Sequence, residues 1–475
     1  MAAIAPLDLR RPYFVGIGGI GMSAVAKLCA ARGSEVAGSD VNDSAVLEAL
    51  RRLGCKVYVG HDADQVTSAS CVVVSQAIQQ SNLELQAARE LRIPVAHRAQ
   101  ALAALMEGYR SVAVAGTHGK SSTTAMLVVA LKELGLDPTY AIGADFDEPA
   151  SNAGHGEGDV FIAEADESDR SFHHYRPLVA TVLNVEEDHH DHYSCLDEHL
   201  SSYERFAHRI QPGGALVVSA DNLGCRQLCD RLVRSSLDLH VVTYGESDAA
   251  DMHIVKIATH GFTSTAVVRI PELGEVAVCV EVPGRHMAHN AVGALTVGWA
   301  LGVDLRQMAK ALGRYQGLRR RFTVKGKAGG VTVVDSYAHH PTEIAADIET
   351  ARAVLDGLGR VVVLFQPHRF SRIRALGEGI GCELASADLV VLMDIYASHE
   401  DPLSGITSQV VAKAVRQHGG VIRPAESWTA VPDLVAGLVR PGDLVLTMGA
   451  GDVTLLGPTI LERIAACSGD ALHQE

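Results

Sequence analysis

Short apolar runs, mostly four to six residues long and bounded by glycine, proline or charge, alternate along this chain with longer stretches where small and apolar residues recur at helical spacing. Runs of that length without strict polar alternation are the signature of strands buried on both faces, and their alternation with helices predicts parallel sheets. Near the start, residues 13–15, 35–40 and 71–75 read as strands, with helices to about residue 32 and again from residue 83. Further on, 112–115, 160–164 and 179–184 read as strands, followed by a strand-rich segment over 215–282 and a helix to about residue 301. The last third repeats the pattern, with strands at 331–335, 361–366, 389–395 and 444–448. The fold class is α/β throughout, in three domains placed at 1–110, 111–325 and 326–475.

The segments that follow these strands carry the chemistry. Residues 112–127 form a strand that breaks into Gly116-Thr117-His118-Gly119-Lys120-Ser121-Ser122 and resumes as a helix, so that backbone N–H groups, a helix N-terminus and a lysine converge. That suits a nucleoside triphosphate, with Lys120 on the outer phosphates and the Ser121 hydroxyl on Mg²⁺. The loop is a shortened variant, since Val114 stands where the usual first glycine would be.

Upstream, Gly16-x-Gly18-Gly19-x-Gly21-Met22-Ser23 follows a strand, and Asp40 ends the next one, which is the dinucleotide fingerprint. Read alone it takes either NAD or another diphosphate, because a helix N-terminus recognises phosphate and not nicotinamide. In the middle third, strand ends deliver Glu164-Ala-Asp166-Glu167-Ser168-Asp169 and Glu186-Glu187-Asp188-His189-His190-Asp191-His192-Tyr193 to one edge. A zinc site from His189, His190 and His192 is the alternative there to oxygen-rich Mg²⁺ coordination, which a neighbouring phosphate loop favours. Arg319, Arg320 and Arg321 are three consecutive cations, either a solvated turn or a clamp on phosphates. In the last third, Asp335-Ser-Tyr337-Ala-His339-His340, Gln366-Pro-His368-Arg369-Phe-Ser-Arg372 and Gly451-Asp452 again follow strand ends.

Composition narrows the reading. A formal charge of −15 opposes nucleic-acid binding, and no apolar run approaches the roughly 18 residues a membrane span needs. Nine scattered cysteines without any C-x-x-C read as reduced thiols, and the start of the chain lacks a signal-peptide pattern, so the expected location is cytoplasmic.

Eight motifs occur in register: residues 16–23, Gly-Thr-His-Gly-Lys-Ser at 116–121, Glu-Ala-Asp-Glu-Ser-Asp at 164–169 and Asp-His-x-Asp-x-Tyr at 188–193. They continue with Gly-Arg-His-x-x-x-Asn-Ala at 284–291, Arg-Arg-Phe at 320–322, Asp-x-Tyr-x-His-His-Pro at 335–341 and Gln-Pro-His-Arg at 366–369. Together they resemble the Mur ligases of peptidoglycan synthesis, over nearly the whole chain. The resemblance implies a Rossmann-like N-terminal domain for a UDP-linked substrate, a central P-loop ATPase domain and a Rossmann-like C-terminal domain for the amino acid. The first glycine loop then holds UDP and not NAD, since hydride transfer has no use for ATP.

The implied activity is ATP-dependent amide formation through an acyl phosphate, with Mg²⁺ as cofactor. Gly16, Gly18, Gly19, Gly21, Met22, Ser23, Asp40, Ser75, His97 and Arg98 are the implied UDP-substrate residues. The resemblance puts ATP on residues 116–122, Asn290, Arg321 and, through its ribose, Asp335. The implied metal ligands are Ser121, Glu164 and His189, and the catalytic set is Lys120, Glu164, His189 and Arg321. Tyr337, His339, Arg369 and Arg372 would meet the amino acid.

Between His190 and Ile210 there is no lysine, whereas the ligases that add later residues generally carry a carbamylated one about fifteen positions past the magnesium histidine. That absence favours the alanine-adding branch, with UDP-N-acetylmuramate, L-alanine and ATP as partners. Neither nucleic acid nor membrane is expected, and the protein would be a monomer or homodimer. The alternative is a recycling branch that joins the same sugar nucleotide to a tripeptide. Four departures stand out: Met287 replaces a family Asn, so that one adenine contact is lost or replaced by a thioether packing on the ring, Gln76 follows Ser75, Ser336 and Ala338 change Asp-Asp-Tyr-Gly, and Phe370 and Ser371 change Arg-Tyr-Thr-Arg.

Overall fold

The computed structural model describes residues 7–146, 151–189, 192–235, 237–398, 400–425 and 427–471. Three sheets follow one another along the chain. The first is five parallel strands in the order Lys56–Val59, Ala37–Asp40, Pro12–Val15, Cys71–Val74 and Val95–His97. Its central strand is buried end to end, because helices cover both faces of the sheet and leave no room for a polar position.

Among the described residues the second sheet has ten strands, the shortest being Ala153–Gly154, antiparallel at one edge beside Thr139–Ala141. Its parallel centre runs His240–Gly245, Ala215–Ser219, Val179–Val182, Arg110–Ala115, Val160–Glu164 and Thr139–Ala141. Met252–His260 joins the first of these, then Thr263–Ile270 and Gly274–Val280 extend the sheet as antiparallel strands. The segment read as strand-rich, 215–282, also contains the helix Leu223–Arg234. Its apolar stripe is narrow, with Cys225, Leu228 and Leu232 facing inward, and Asn222 caps it by accepting from the Cys225 N–H at 3.0 Å. That stripe and cap were the overlooked helix signal.

The third sheet is Thr323–Ala328, Val331–Ser336, Leu444–Met448, Val361–Phe365, Leu389–Leu392 and Ile422–Pro424. All pairs are parallel except the first, a hairpin that returns antiparallel at the edge. Fully buried Val, Leu and Phe side chains of these strands each contribute about 1.5–3 kcal/mol of transfer free energy. Among the described residues no helix is long and apolar enough to cross a membrane.

Strand order explains where the conspicuous segments meet. Arg110–Ala115 lies between Val160–Glu164 and Val179–Val182, all parallel. The loops after the three strands therefore emerge side by side at one sheet edge, where open α/β sheets bind ligands.

Candidate active site

The loop after Arg110–Ala115 turns through Gly116 (φ 141°) and Gly119 (φ 82°) into the helix Lys120–Glu133. A side chain at 119 would be strained at that φ, and its Cβ would stand 2.7 Å from Asn290 Oδ1. Ser121 and Ser122 open the helix and are buried, as is Thr117. The Lys120 ammonium folds back over the loop, donating to Gly116 O at 2.6 Å and to Glu167 Oε1 at 3.0 Å. Burial opposes its charge, but Glu167, Asp166 and Glu164 outweigh that and raise its pKa, so Lys120 stays protonated.

The carboxylate against Lys120 is Glu167's, not Glu164's. Glu164 ends its strand and accepts from the Gly143 N–H at 2.7 Å, whereas Glu167, three residues on, is fully buried beneath the lysine. The strand end sends Glu164 toward the first domain, and the following turn brings Glu167 back. His189, in a left-handed conformation at φ 50°, places Nε2 3.5 Å from Glu167 and 3.6 Å from Asp188. Burial opposes its protonation, yet these carboxylates raise its pKa. His190 and Asp191 lie outside the described residues. Neither cluster of metal-capable side chains among the described residues, His118 with Glu186 and His340 or Asp221 with Glu246 and His289, includes His189 or His192.

Beside the first domain, a cavity of about 270 Å³ is lined by Gly19, Gly21, Met22, Ser75 and Arg98 together with Gly143, Glu164 and Asp166. Arg98 reaches Asp166 at 2.8 Å. Burial works against the Asp166 charge, but Arg98 and Lys120 hold its carboxyl down at about 2. Other residues expected at the UDP substrate shape this wall and do not line it. Gly16 turns at φ 73°, Asp40 accepts from the Gly18 N–H at 2.8 Å, and Ser23 is buried and donates to Ile20 O. His97 caps the helix Arg98–Met106, with Asp169 3.5 Å away.

A second cavity, of about 150 Å³, lies between the central and C-terminal domains. His118, Gly119, Ser122, Asn290, His286 and Met287 form one wall, and Arg321, Ser336, Glu343 and Asp347 stand on the other. Asn290 and Met287 come from the helix Arg285–Ala300, and Glu343 and Asp347 stand one turn apart on the helix Pro341–Leu355. His118 is held between two carboxylates, with Nδ1 3.2 Å from Glu343 and Nε2 3.4 Å from Glu186. Burial opposes its charge, but the two acids prevail and push it up to about 9. Burial drives His286 down to about 4.

The three arginines separate. Arg319 is exposed, Arg320 donates to Gly449 O and Gly451 O inside the C-terminal domain, and Arg321 alone enters the cavity, 3.8 Å from Glu343. A three-residue phosphate clamp is therefore not formed. Asp335, expected at the ribose, is also elsewhere. It is fully buried and accepts from Thr447 at 2.9 Å and Thr454 at 2.7 Å, with Lys325 at 3.5 Å. Alternation along Val331–Ser336 sends neighbouring side chains to opposite faces, so Ser336 and not Asp335 reaches the cavity.

At the amino-acid end, Tyr337 lies under the guanidinium groups of Arg320 and Arg321, 4.9 and 5.1 Å from its ring centre. His339 packs edge-on against Tyr337, and burial with the nearby Arg372 charge drives it down to about 3, so it is a neutral imidazole. Arg372 crosses to the central domain and binds Asp188 at 3.0 Å. Arg369, at φ 65°, lies 3.7 Å from Glu400. Glu167, Glu186, Glu343 and Asp347 escaped the sequence reading as individual contacts, although each lies within, or no more than two turns beyond, a segment that it singled out.

A phosphate-binding loop with a buried lysine, set at the meeting of three α/β domains, defines a nucleotide-using enzyme that brings separate substrates together. Three family profiles agree in register. The one described as the Mur ligase family, catalytic domain, matches residues 11–110, the Mur ligase middle domain matches 114–298, and the Mur ligase, glutamate ligase domain matches 320–451. The chain belongs to the Mur ligase family.

Among its relatives, the UDP-N-acetylmuramate--L-alanine ligase of Streptomyces coelicolor is 54% identical over 98% of this chain and 100% of that protein. The protein of the same name from Mycolicibacterium vanbaalenii is 43% identical over 97% of this chain and 98% of its own. Of solved structures, the UDP-N-acetylmuramate-alanine ligase of Thermotoga maritima superposes with a TM-score of 0.79 at 28% identity, covering 96% of this chain and 99% of that one. A murein peptide ligase from Psychrobacter arcticus shares the fold, with a TM-score of 0.69 at 22% identity over 96% of this chain and 98% of its own.

Proposed function

We infer that the chain is an ATP-dependent ligase that forms the amide bond between UDP-N-acetylmuramate and L-alanine in peptidoglycan precursor synthesis. The observation that carries this is 54% identity across essentially the whole length of both chains to a ligase of that name. The arrangement of the site supplies a physical route. A carboxylate is a poor electrophile until phosphorylated, so ATP transfers its γ-phosphoryl group to the muramoyl carboxylate and leaves ADP and an acyl phosphate. The free amine of L-alanine then attacks that carbonyl, and inorganic phosphate departs from the tetrahedral intermediate.

Charge is the obstacle, because a triphosphate must meet a carboxylate. Lys120 and the N–H groups from Gly116 to Ser121 are the donors we assign to the outer phosphates. The amine of L-alanine titrates near pH 8, so a usable fraction is already free base at neutral pH. Asn290 and Met287 form the wall that we assign to adenine, and Arg321 contacts the nucleotide. For the UDP diphosphate we assign the loop from Gly19 to Met22 with Ser75 and Arg98, and for the amino acid Tyr337, His339 and Arg369.

The donors present suit magnesium. Glu167 is fully buried with Oε2 2.8 Å from the Lys120 ammonium, a hard anionic oxygen of the kind Mg²⁺ takes, and Ser121 and His189 complete the set we assign to it. Bound there, Mg²⁺ would neutralise phosphate and carboxylate oxygens. We assign the enzyme to the cytoplasm, because the reaction consumes a nucleotide sugar and ATP.

The test is phosphate release from ATP with Mg²⁺ and UDP-N-acetylmuramate, comparing L-alanine, an L-alanyl-D-glutamyl tripeptide, D-glutamate and no amine. Turnover with L-alanine, yielding the corresponding amide, is the expected result. Turnover with the tripeptide only would move the enzyme to the recycling reaction.

A further inference from the structure

The displacement of Asp335 leaves the nucleotide's ribose without the acid that the sequence suggested, and the cavity supplies another. Asp347 projects from the helix Pro341–Leu355 into the cavity and is 7% exposed. Ser336, the strand residue that does reach the cavity, donates its hydroxyl to Asp347 Oδ2 and accepts from the Ala338 N–H at 3.1 Å. Those two bonds fix the direction of the Ser336 hydroxyl and, through it, the carboxyl of Asp347. Oδ1 of Asp347 has no hydrogen-bond partner among the described residues. Glu343, one turn earlier, differs in having His118 and Arg321 beside it.

We propose that Asp347, oriented by Ser336, is the residue that binds the ribose hydroxyls of ATP. The proposal rests on the reading of this cavity as the ATP site. Burial raises the Asp347 carboxyl to about 7 in spite of the Ser336 hydroxyl, so a donor at its unmet oxygen would hold it ionised, and the donors ATP offers are its ribose hydroxyls and the adenine amino group. The facing wall decides between them. Asn290 carries the paired donor and acceptor that match a base edge, and Met287 is an apolar surface for a ring face. With the base on that wall and the phosphates on the loop at Gly119, the sugar falls to the opposite side, where Ser336 and Asp347 stand.

The experiment compares ATP, 2′-deoxy-ATP, 3′-deoxy-ATP and purine riboside triphosphate as substrates of the wild-type enzyme and of Asp347→Ala, Asp347→Asn and Ser336→Ala, with direct nucleotide binding as a second readout. In the wild type, loss of a contacted hydroxyl raises KM about tenfold, the effect of one lost hydrogen bond to a charged group. Asp347→Ala raises KM for ATP by about the same factor and brings ATP and the affected deoxy analogue within about twofold of each other. It leaves discrimination against purine riboside triphosphate unchanged. Asp347→Asn, which keeps an acceptor oxygen and the side-chain volume, recovers part of the preference, and Ser336→Ala raises KM more than it lowers kcat.

Wild-type turnover with no preference for ATP over either deoxy analogue would overturn the proposal while leaving the ligase intact. So would loss of base discrimination, and not of sugar discrimination, in Asp347→Ala. Absence of nucleotide binding by the wild type would instead overturn the assignment of the cavity, and this proposal with it.

Discussion

At the scale of single residues, Lys120 shows how a charge can be kept ready in a buried place. Its ammonium sits on the carbonyl of Gly116 and on Glu167, so it is desolvated yet held protonated. Triphosphate oxygens can then take over those contacts without having to strip water from the lysine. Lys120→Ala is expected to lower kcat for phosphate release about 10²–10³-fold with far-ultraviolet circular dichroism unchanged; unimpaired turnover would remove Lys120 from the phosphates. Asp335 is the contrasting case. Its carboxylate answers Thr447, Thr454 and Lys325 inside one domain. Asp335→Ala should therefore cost about 3 kcal/mol in urea unfolding and leave the preference for ATP over its deoxy analogues untouched. A sugar-specific rise in KM without lost stability would restore Asp335 to the ribose. Motif spacing could not separate Asp335 from Ser336, because which of two adjacent strand residues faces a cavity depends on what packs on each side of the sheet.

At the scale of elements, much was legible because the physics is local. The continuous apolar runs became the buried parallel strands, and glycine followed by lysine marked the turn into the helix Lys120–Glu133. Glu164 against Glu167, and Arg321 against Arg320, were not legible, since a turn three residues long decides which side chain returns to the site. Also hidden was the contact between the phosphate loop and the helix Pro341–Leu355, which joins residues 225 apart. There His118 is clamped by Glu186 and Glu343 and packs at a tilt of 44° against His340, whose ring centre is 4.5 Å away. With its pKa pushed from 6.5 to about 9, protonated His118 stabilises this contact fully below about pH 6.5, and the stabilisation is lost as pH rises through about 9. Hydrogen exchange in residues 341–355, corrected for the intrinsic effect of pH, should thus become less protected between pH 7 and 9.5, and His118→Gln should flatten that dependence. Equal slopes in both proteins would show that the imidazolium does not hold the helix.

For the whole molecule, on the function proposed above each of the three domains holds one substrate, so they are productive only while their edges stay together, and the edges meet through charge. Arg98 ties the first domain to Asp166 at 2.8 Å, and Arg372 ties the third to Asp188 at 3.0 Å. The second pair is the more buried, with side chains 10% and 6% exposed. Burial opposes the Asp188 charge, but chiefly Arg372 keeps its pKa below the ordinary aspartate value, so the pair stays ionised at neutral pH. Removing one partner of such a pair strands the other, whereas removing both removes the cause of the cost. Asp188 also borders His189, so closure by Arg372 and the geometry around the phosphate loop are one arrangement. Arg372→Ala and Asp188→Ala are each expected to lower kcat at saturating L-alanine and to speed proteolysis in the segment 316–322 that precedes the strand Thr323–Ala328. The double variant should be little worse than either, giving a coupling of about 1–3 kcal/mol in a double-mutant cycle. Additive losses, or a rise confined to the KM for L-alanine in Arg372→Ala, would mean that the guanidinium serves the amino acid's carboxylate and not the joint between domains.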